Sequence, residues 1–127
     1  IHANGIAHLD IKSDNVLCTA SGTVSLVDFG AALNINGSHW EKPFHGTEAY
    51  AAPERLQRRF FSERADIYSL GCLSYRLFTG RMFDKRTELH GWKRIPIEVL
   101  PLLEMMLELS PERRPSAVHI QNFLLKI

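Results

Sequence analysis

Asp10, Lys12 and Asn15 bring a carboxylate, an ammonium group and a carboxamide into one stretch of six residues. Neither a helical nor a strand period places all three on one face, so we interpret residues 8–15 as a shaped loop that aims them at one point. A carboxylate there can accept a proton, an ammonium group can offset phosphate charge, and an amide oxygen can bind Mg²⁺. Taken alone, the stretch leaves open the alternative of a solvated polar turn.

A second carboxylate, Asp28, follows two short apolar runs that are separated by Thr-Ala-Ser-Gly. Apolar runs on either side of a glycine-containing turn predict a β-hairpin. The midpoint between Asn15 and Asp28 falls between Ser21 and Gly22, so a turn there would bring the two side chains together at the open end of the hairpin. A carboxamide and a carboxylate side by side would form a site of hard oxygen ligands, which suits Mg²⁺.

The composition limits the classes of protein that need to be considered. A chain of 127 residues with 45% hydrophobic residues predicts one domain with a core, and a net charge of +1 argues against a nucleic-acid partner. We see no signal peptide and no apolar run long enough to span a membrane, so we expect no membrane association. Cys18 and Cys72 are too isolated for a disulfide framework or a zinc site, and we expect both to be buried, reduced thiols of a cytoplasmic or nuclear protein.

Five stretches, in order, resemble the motifs of the eukaryotic protein kinases. His-x-Asp-x-Lys-x-x-Asn at residues 8–15 and Asp-Phe-Gly at residues 28–30 are similar to the catalytic and metal-binding core of that family. Residues 46–54 resemble the end of the activation segment, residues 66–71 the start of the buried central helix, and residues 110–116 the late Arg-Pro motif. Any one of these matches is weak, but the ordered set over nearly the whole chain is specific.

The resemblance implies catalytic roles for three residues. Asp10 would be the catalytic base that accepts or orients the proton of the attacking hydroxyl, and Lys12 would stabilise the charge of the transferred phosphoryl group. Thr47 matches a threonine whose hydroxyl bridges the catalytic aspartate and lysine, with a turn threonine as the alternative. Lys12 and Thr47 are both typical of the serine/threonine kinases.

The resemblance also implies two cofactors, ATP and Mg²⁺. Asn15 and Asp28 would hold the metal ions, Leu17 would lie under the adenine ring, and Lys12 would lie beside the phosphates.

Further positions match residues that shape the site in the family. The counterpart of His8 stacks on the phenylalanine of Asp-Phe-Gly, here Phe29. Glu54 is expected to pair with Arg114, and Asp66 is expected to bind the backbone of the catalytic loop. The residues with expected structural roles are His8, Phe29, Gly30, Glu54, Asp66 and Arg114.

One position departs from the family pattern. Most members have arginine where this chain has Leu9. That arginine helps to bind a phosphorylated residue of the activation segment through a charge-assisted pair, which leucine cannot form. We therefore expect activity that does not depend on phosphorylation of this segment, for example at Ser38.

The elements that must position these residues are mainly helical. Ser62 is a natural N-cap and Gly80 a natural end for a helix that is apolar nearly all round and therefore buried, whereas residues 31–45 lack periodicity and predict a loop. We expect a mainly α fold with a small β-hairpin, similar to the C-terminal lobe of protein kinases, a partial α+β kinase fold over residues 1–127. Its expected parts are a catalytic loop (8–15), a metal-binding hairpin with Asp-Phe-Gly (15–30), an activation segment (28–54) and a helical subdomain (62–127).

The function implied by the resemblance is a serine/threonine protein kinase that transfers a phosphoryl group from Mg-ATP to a protein substrate. The glycine-rich loop, strand lysine and helix glutamate of the family lie upstream of the matched motifs, so we interpret the chain as a fragment whose partner is its own N-terminal lobe, and we expect it to be inactive alone. A pseudokinase that acts as an interaction scaffold remains open. A metal nuclease built on Asp10 and Asp28 would explain neither Lys12 nor Thr47.

Overall fold

The computed structural model describes residues 1–37, 44–57, 61–84 and 92–127. Within these ranges the chain forms short strands, helices and single 3₁₀ turns. The strands are β1 (Ile6–Ala7), β2 (Val16–Cys18), β3 (Val24–Leu26) and β4 (Leu33–Asn34). The helices are α1 (Pro53–Leu56), α2 (Arg64–Thr79), α3 (Leu100–Met106) and α4 (Ala117–Leu124). The 3₁₀ turns are His2–Asn4, Ser13–Asn15, Glu48–Tyr50, Trp92–Arg94 and Pro111–Arg113.

The predicted hairpin is present, but its register differs by one residue from the prediction. β2 and β3 pair antiparallel with Leu17 opposite Ser25, and the Val27 N–H donates to the carbonyl oxygen of Asn15 at 3.0 Å. Asn15 therefore faces Val27 rather than Asp28. The shift arises in the turn, where Gly22 has a φ of 85° and its N–H donates to Thr19 O at 3.0 Å. A left-handed glycine adds a third loop residue, which the midpoint argument did not include.

A second antiparallel pair includes β4, which lies within the stretch of residues 31–45 that was predicted to be a loop. β4 pairs with β1, with Asn34 opposite Ile6 and Leu33 opposite Ala7. Strands of two residues are too short to show a sequence period, which is why the pattern missed them. The pairing fixes the chain that follows Asp-Phe-Gly beside the start of the catalytic loop.

Helix α2 is the buried centre of the described structure, as its sequence predicts. Its residues are covered on most sides, and it packs against α3 and against the Glu48–Tyr50 turn. Gly80 ends it with a φ of 72° and an N–H that donates to Arg76 O at 2.8 Å. The helix begins at Arg64 with Glu63 at the N-cap, so the expected Ser62 cap is wrong by one position. The Ser62 hydroxyl instead accepts the Arg64 N–H at 3.3 Å.

The two cysteines differ in environment, which corrects the expectation that both are buried. Cys72 lies inside α2 and is 2% exposed, whereas Cys18 lies at the end of β2 and is exposed. Cys18 is exposed because no second layer of the described structure covers this part of the hairpin. Both thiols are free.

The C-terminal helices are short. Pro101 lies in the first turn of α3, and the Ser116 hydroxyl caps α4 by accepting the His119 N–H at 3.1 Å. Across the described ranges, no helix has both the length and the apolar character needed to cross a membrane. The fold is thus mainly α with small antiparallel sheets, as predicted.

Candidate active site

The carboxylate of Asp10 is held by its neighbours on one oxygen only. Lys12 Nζ lies 3.2 Å from Asp10 Oδ2, and Asn15 Nδ2 donates to the same oxygen at 3.1 Å and to Asp10 O at 2.9 Å. The other oxygen, Oδ1, is buried and has no hydrogen-bond partner among the described residues. A buried acceptor without a donor is unfavourable by about 1–3 kcal/mol.

Lys12 connects the catalytic loop to the activation segment. Its ammonium group donates to Thr47 Oγ1 at 2.9 Å while it also contacts Asp10. Thr47 was expected to bridge the aspartate and the lysine directly. In the described part of the chain the hydroxyl of Thr47 has no hydrogen bond with Asp10, so the bridge runs through Lys12.

The backbone of the catalytic loop is anchored by Asp66, as expected. The N–H groups of His8 and Leu9 each donate to one Asp66 carboxylate oxygen at 2.7 Å, and His2 Nε2 lies 2.8 Å from Oδ2. Asp66 is 1% exposed, and these donors satisfy its buried charge. Leu9 has a φ of 64°, which is unfavourable for a residue with a side chain. Asp66 therefore holds a strained peptide in place one residue before Asp10.

His8 links the catalytic loop to the Asp-Phe-Gly segment. Its Nδ1 accepts the Asp10 N–H at 3.3 Å, which places the ring proton on Nε2, where it donates to Val27 O at 3.0 Å. The imidazole packs edge-on against Phe29 with a centroid distance of 4.8 Å. With both nitrogens engaged and no exposed surface, His8 orients Asp10 rather than exchanging protons.

The donor set of Asn15 and Asp28 is compatible with Mg²⁺. Asn15 directs its amide nitrogen at Asp10, and its Oδ1 accepts no hydrogen bond from any described residue. Asp28 is exposed and accepts one hydrogen bond, from the Gly30 N–H at 3.2 Å. A Cβ at position 30 would lie 3.1 Å from Asp28 Oδ1, so glycine leaves this carboxylate uncrowded.

Mg²⁺ takes few protein ligands and keeps water and phosphate oxygens, which this pair allows. In the ranges that the structure covers, no group of three or more His, Cys, Asp or Glu side chains could hold a metal ion.

Leu17 lies on β2 and is 53% exposed. Val24 on β3 and Phe29 after it are also exposed, at 63% and 46%. Because Leu17 pairs with Ser25 and Val24 pairs with Cys18, Leu17 and Val24 lie on opposite faces of the hairpin. The exposed side chain of Leu17 is available to an apolar ligand or to another part of the protein.

The expected pair of Glu54 and Arg114 is formed and buried. The guanidinium binds both carboxylate oxygens, at 2.6 and 2.8 Å, and also donates to the carbonyl oxygens of Glu108 at 2.7 Å and Arg64 at 3.0 Å. Arg113, the neighbouring arginine, is exposed. The pair thus ties α1 to the start of α2 and to the chain after α3.

One residue of the site was missed by the sequence analysis. Arg55 is 3% exposed, and its Nη2 donates to Leu9 O at 3.4 Å and to His45 O at 2.5 Å. Burial lowers the pKa of Arg55 below its usual value, although the carboxylates of Asp66, Glu54 and Asp10 oppose this shift. The sequence held no signal of this role, because Leu9 and His45, the partners of Arg55, are distant from it in the chain.

Comparison with known proteins identifies the family. A family model described as "Protein kinase domain" matches residues 1–124. The chain belongs to the protein kinase family.

Relatives of this kinase chain include three named protein kinases. It is 30% identical to the serine/threonine-protein kinase Nek3 of Oryza sativa subsp. japonica, over 100% of this chain and 25% of that protein. It is 32% identical to the serine/threonine-protein kinase chk-2 of Caenorhabditis elegans, over 96% of this chain and 30% of that protein. It is 33% identical to the maternal embryonic leucine zipper kinase of Xenopus laevis, over 96% of this chain and 21% of that protein. The kinase chain thus spans less than a third of the length of these curated relatives.

Proposed function

We propose that the protein to which this chain belongs is a serine/threonine protein kinase that transfers the γ-phosphoryl group of ATP to hydroxyl groups of a protein substrate. The observation that supports this most is the cluster of polar groups around Asp10, whose Oδ2 is held by Lys12 and Asn15 while Lys12 also donates to Thr47. A general base needs a carboxylate that is held in place beside a group that can offset phosphate charge. Thr47 on Lys12 adds the activation segment to the same constellation.

In this proposal each polar residue has one task. Asp10 orients the substrate hydroxyl and accepts its proton as the oxygen forms a bond to phosphorus and the bond to the ADP oxygen breaks. Lys12 offsets the negative charge that develops on the phosphoryl oxygens. Asn15 and Asp28 would hold Mg²⁺, which when bound neutralises phosphate charge. Leu17 would contact the adenine ring.

The domain assignment supports the same proposal. We propose that residues 1–127 form part of a C-terminal lobe and that Leu17, whose side chain is 53% exposed, faces the nucleotide and the N-terminal lobe. Burial of this apolar side chain would favour the association.

The test is a phosphotransfer assay on the intact protein with a generic protein substrate. Asp10→Asn keeps the shape of the side chain but removes its basicity, so we expect kcat to fall by about 10²–10⁴-fold, the range for loss of general base catalysis. Asp28→Ala should abolish Mg²⁺-dependent activity. Asp14→Asn is the matched control, because Asp14 is exposed and accepts a hydrogen bond from the hydroxyl of the neighbouring Ser13.

Two results would contradict the proposal. Full activity of Asp10→Asn would show that Asp10 is not the base. A wild-type protein that folds but transfers no phosphoryl group would favour the pseudokinase scaffold instead.

A further inference from the structure

Arg55 joins two segments that meet at the candidate active site. Its Nη2 donates to Leu9 O, in the catalytic loop, and to His45 O, in the activation segment. Its guanidinium carbon lies 5.1 Å from the ring centroid of Phe44 and 4.9 Å from that of Phe61. The group is therefore held between two aromatic rings, which fixes its plane as well as its position. We call the two hydrogen bonds to Leu9 and His45 the Arg55 bridge.

The Arg55 bridge acts on the strained residue next to Asp10. The Leu9 N–H donates to Asp66 Oδ1 at 2.7 Å, and the Leu9 carbonyl oxygen accepts from Arg55. Leu9 is thus bound at both of its backbone polar groups. Its N–H binds the negatively charged, buried side chain of Asp66, and its carbonyl oxygen binds the positively charged, buried side chain of Arg55. A left-handed residue persists when its surroundings determine it in this way.

The bridge also acts on the residue next to Thr47. Gly46 has a φ of 141°, and a Cβ there would lie 2.9 Å from Leu9 O and 3.6 Å from Arg55 Nη2. Only glycine allows the activation segment to approach the Leu9 carbonyl this closely. The approach occurs one residue before Thr47, whose hydroxyl binds Lys12.

The other contacts of Arg55 do not explain its burial. Among the described residues it forms no ion pair with a carboxylate, and a buried arginine without one is unfavourable unless other groups satisfy it. Its partners are two carbonyl oxygens and two aromatic rings, and both carbonyl oxygens belong to segments that carry proposed catalytic residues. The contrast with Arg114, which has a bidentate carboxylate partner far from Asp10, shows that the two arginines serve different parts of the structure.

We propose that Arg55 is a positioning residue that holds the activation segment on the catalytic loop and so keeps Thr47 at Lys12 without any phosphorylated group. This inference rests on the proposed kinase function. It assigns to a residue of α1 the task of joining the two segments, in a chain whose catalytic loop has Leu9 at the position where an arginine was expected. Both hydrogen bonds of the Arg55 bridge come from one nitrogen, Nη2, while the planar guanidinium lies over the rings of Phe44 and Phe61. An ammonium group has no planar face to pack on these rings, so it cannot hold its donors in the same place.

The experiment uses the intact protein and two arginine-to-lysine variants. Arg55→Lys preserves the charge but loses the planar group that lies over the rings of Phe44 and Phe61. Arg113→Lys is the matched control at an exposed position in the same chain. We would measure kcat, KM for ATP and amide hydrogen exchange over residues 44–50, before and after treatment with a protein phosphatase.

We expect Arg55→Lys to lower kcat by about 10–100-fold, as small displacements of catalytic groups do, with KM for ATP unchanged because Asn15 and Asp28 do not contact Arg55. Exchange over residues 44–50 should become faster while exchange in α2 stays the same. Phosphatase treatment should change the activity of the wild type by no more than about twofold, since the Arg55 bridge requires no phosphate.

Three outcomes would overturn the inference. The first is an Arg55→Lys protein with wild-type kcat. The second is faster exchange throughout the chain, which would indicate a general loss of stability. The third is a wild type that loses its activity with the phosphatase. An inactive wild type would instead contradict the proposed kinase function, so the two failures are distinguishable.

Discussion

Leu9 has a strained backbone conformation that helps to position the next residue, Asp10. Its left-handed conformation costs about 1–2 kcal/mol relative to the usual regions. Its side chain is buried at 6% exposure, and its N–H and carbonyl oxygen bind Asp66 and Arg55. The direction of the next peptide is fixed as a result, and with it the carboxylate of Asp10.

The two cysteines allow the burial of α2 to be tested by chemical labelling. Burial raises the pKa of the Cys72 thiol from 9.0 to about 12, whereas Cys18 is exposed. We expect iodoacetamide at pH 8 to label Cys18 rapidly and to label Cys72 only after unfolding in urea, because the reactive species is the thiolate. Peptide mass spectrometry would locate the label. Rapid labelling of Cys72 in the folded protein would contradict the burial of α2.

The same pKa predicts how stability depends on pH. Between about pH 9 and 12 the unfolded chain loses the Cys72 proton while the folded chain keeps it, so the free energy of unfolding falls as pH rises, by at most about 1.4 kcal/mol per pH unit. Urea unfolding at pH 8 and pH 10.5 would measure this. Cys72→Ala should show a smaller decrease than the wild type, and an equal decrease in both proteins would argue against the shift.

At the scale of elements, α2 orders the catalytic loop through Asp66. Asp66→Asn leaves one oxygen to accept where two N–H groups now donate, and it turns an NH₂ group toward one of them. Because hydrogen bonds to charged groups contribute about 1.5–3 kcal/mol each, we expect a loss of roughly that size in the free energy of unfolding. Chemical denaturation and kcat would report it, with Asp14→Asn as the exposed control. An unchanged kcat would show that the loop does not depend on this anchor.

The junction of α1 with α2 depends on the pair of Glu54 and Arg114. Glu54→Ala leaves the Arg114 charge buried without its carboxylate, so the free energy of unfolding should fall by about 3–5 kcal/mol. Glu112→Ala is the control, because Glu112 is exposed. Thermal and urea unfolding would compare the two variants. Equal free energies of unfolding for Glu54→Ala and Glu112→Ala would mean that the backbone carbonyl oxygens around Arg114 suffice to satisfy its charge.

Elements also show what the sequence could predict and what it could not. The hairpin, the buried helix α2 and the Glu54–Arg114 pair follow from apolar runs, helix-ending glycine and the order of the motifs. The hairpin register was wrong because it depends on the backbone angles of Gly22. The β1–β4 pair was too short to have a period. Arg55 was missed because its partners, Leu9 and His45, are distant in sequence and meet only in the fold.

For the whole molecule, the sequence resemblance and the family model agree on the family, and the chain spans less than a third of the length of the relatives compared with it. We expect residues 1–127 alone to show no turnover of ATP, because the glycine-rich loop and the strand lysine that hold the nucleotide phosphates in the family are not among the motifs matched in this sequence. An assay of released ADP, with the intact protein as positive control, would check this. Turnover by the isolated chain that disappears in Asp10→Asn would show that these residues suffice for catalysis.

Independence from phosphorylation is a further expectation for the intact protein. Ser38, which the sequence suggests as a modifiable position, lies outside the described residues. We expect Ser38→Ala to retain wild-type kcat, whereas Thr47→Ala should lose activity because Lys12 loses its partner. Steady-state kinetics would separate the two. A large loss in Ser38→Ala would mean that a phosphorylated group contributes after all.

The length of the three-residue loop at residues 20–22 sets the register of the hairpin, and therefore which face each side chain of the two strands lies on. Deleting one residue there would slide β3 against β2 by a single position, and alternate side chains would exchange faces. Leu17 would then be opposite a different neighbour, and Asn15 would no longer face Val27. A tandem insertion of two residues would keep every side chain on its own face. Insertions and deletions in this loop should therefore be tolerated better in pairs of residues than singly, although no residue of the loop is proposed to contact the substrate.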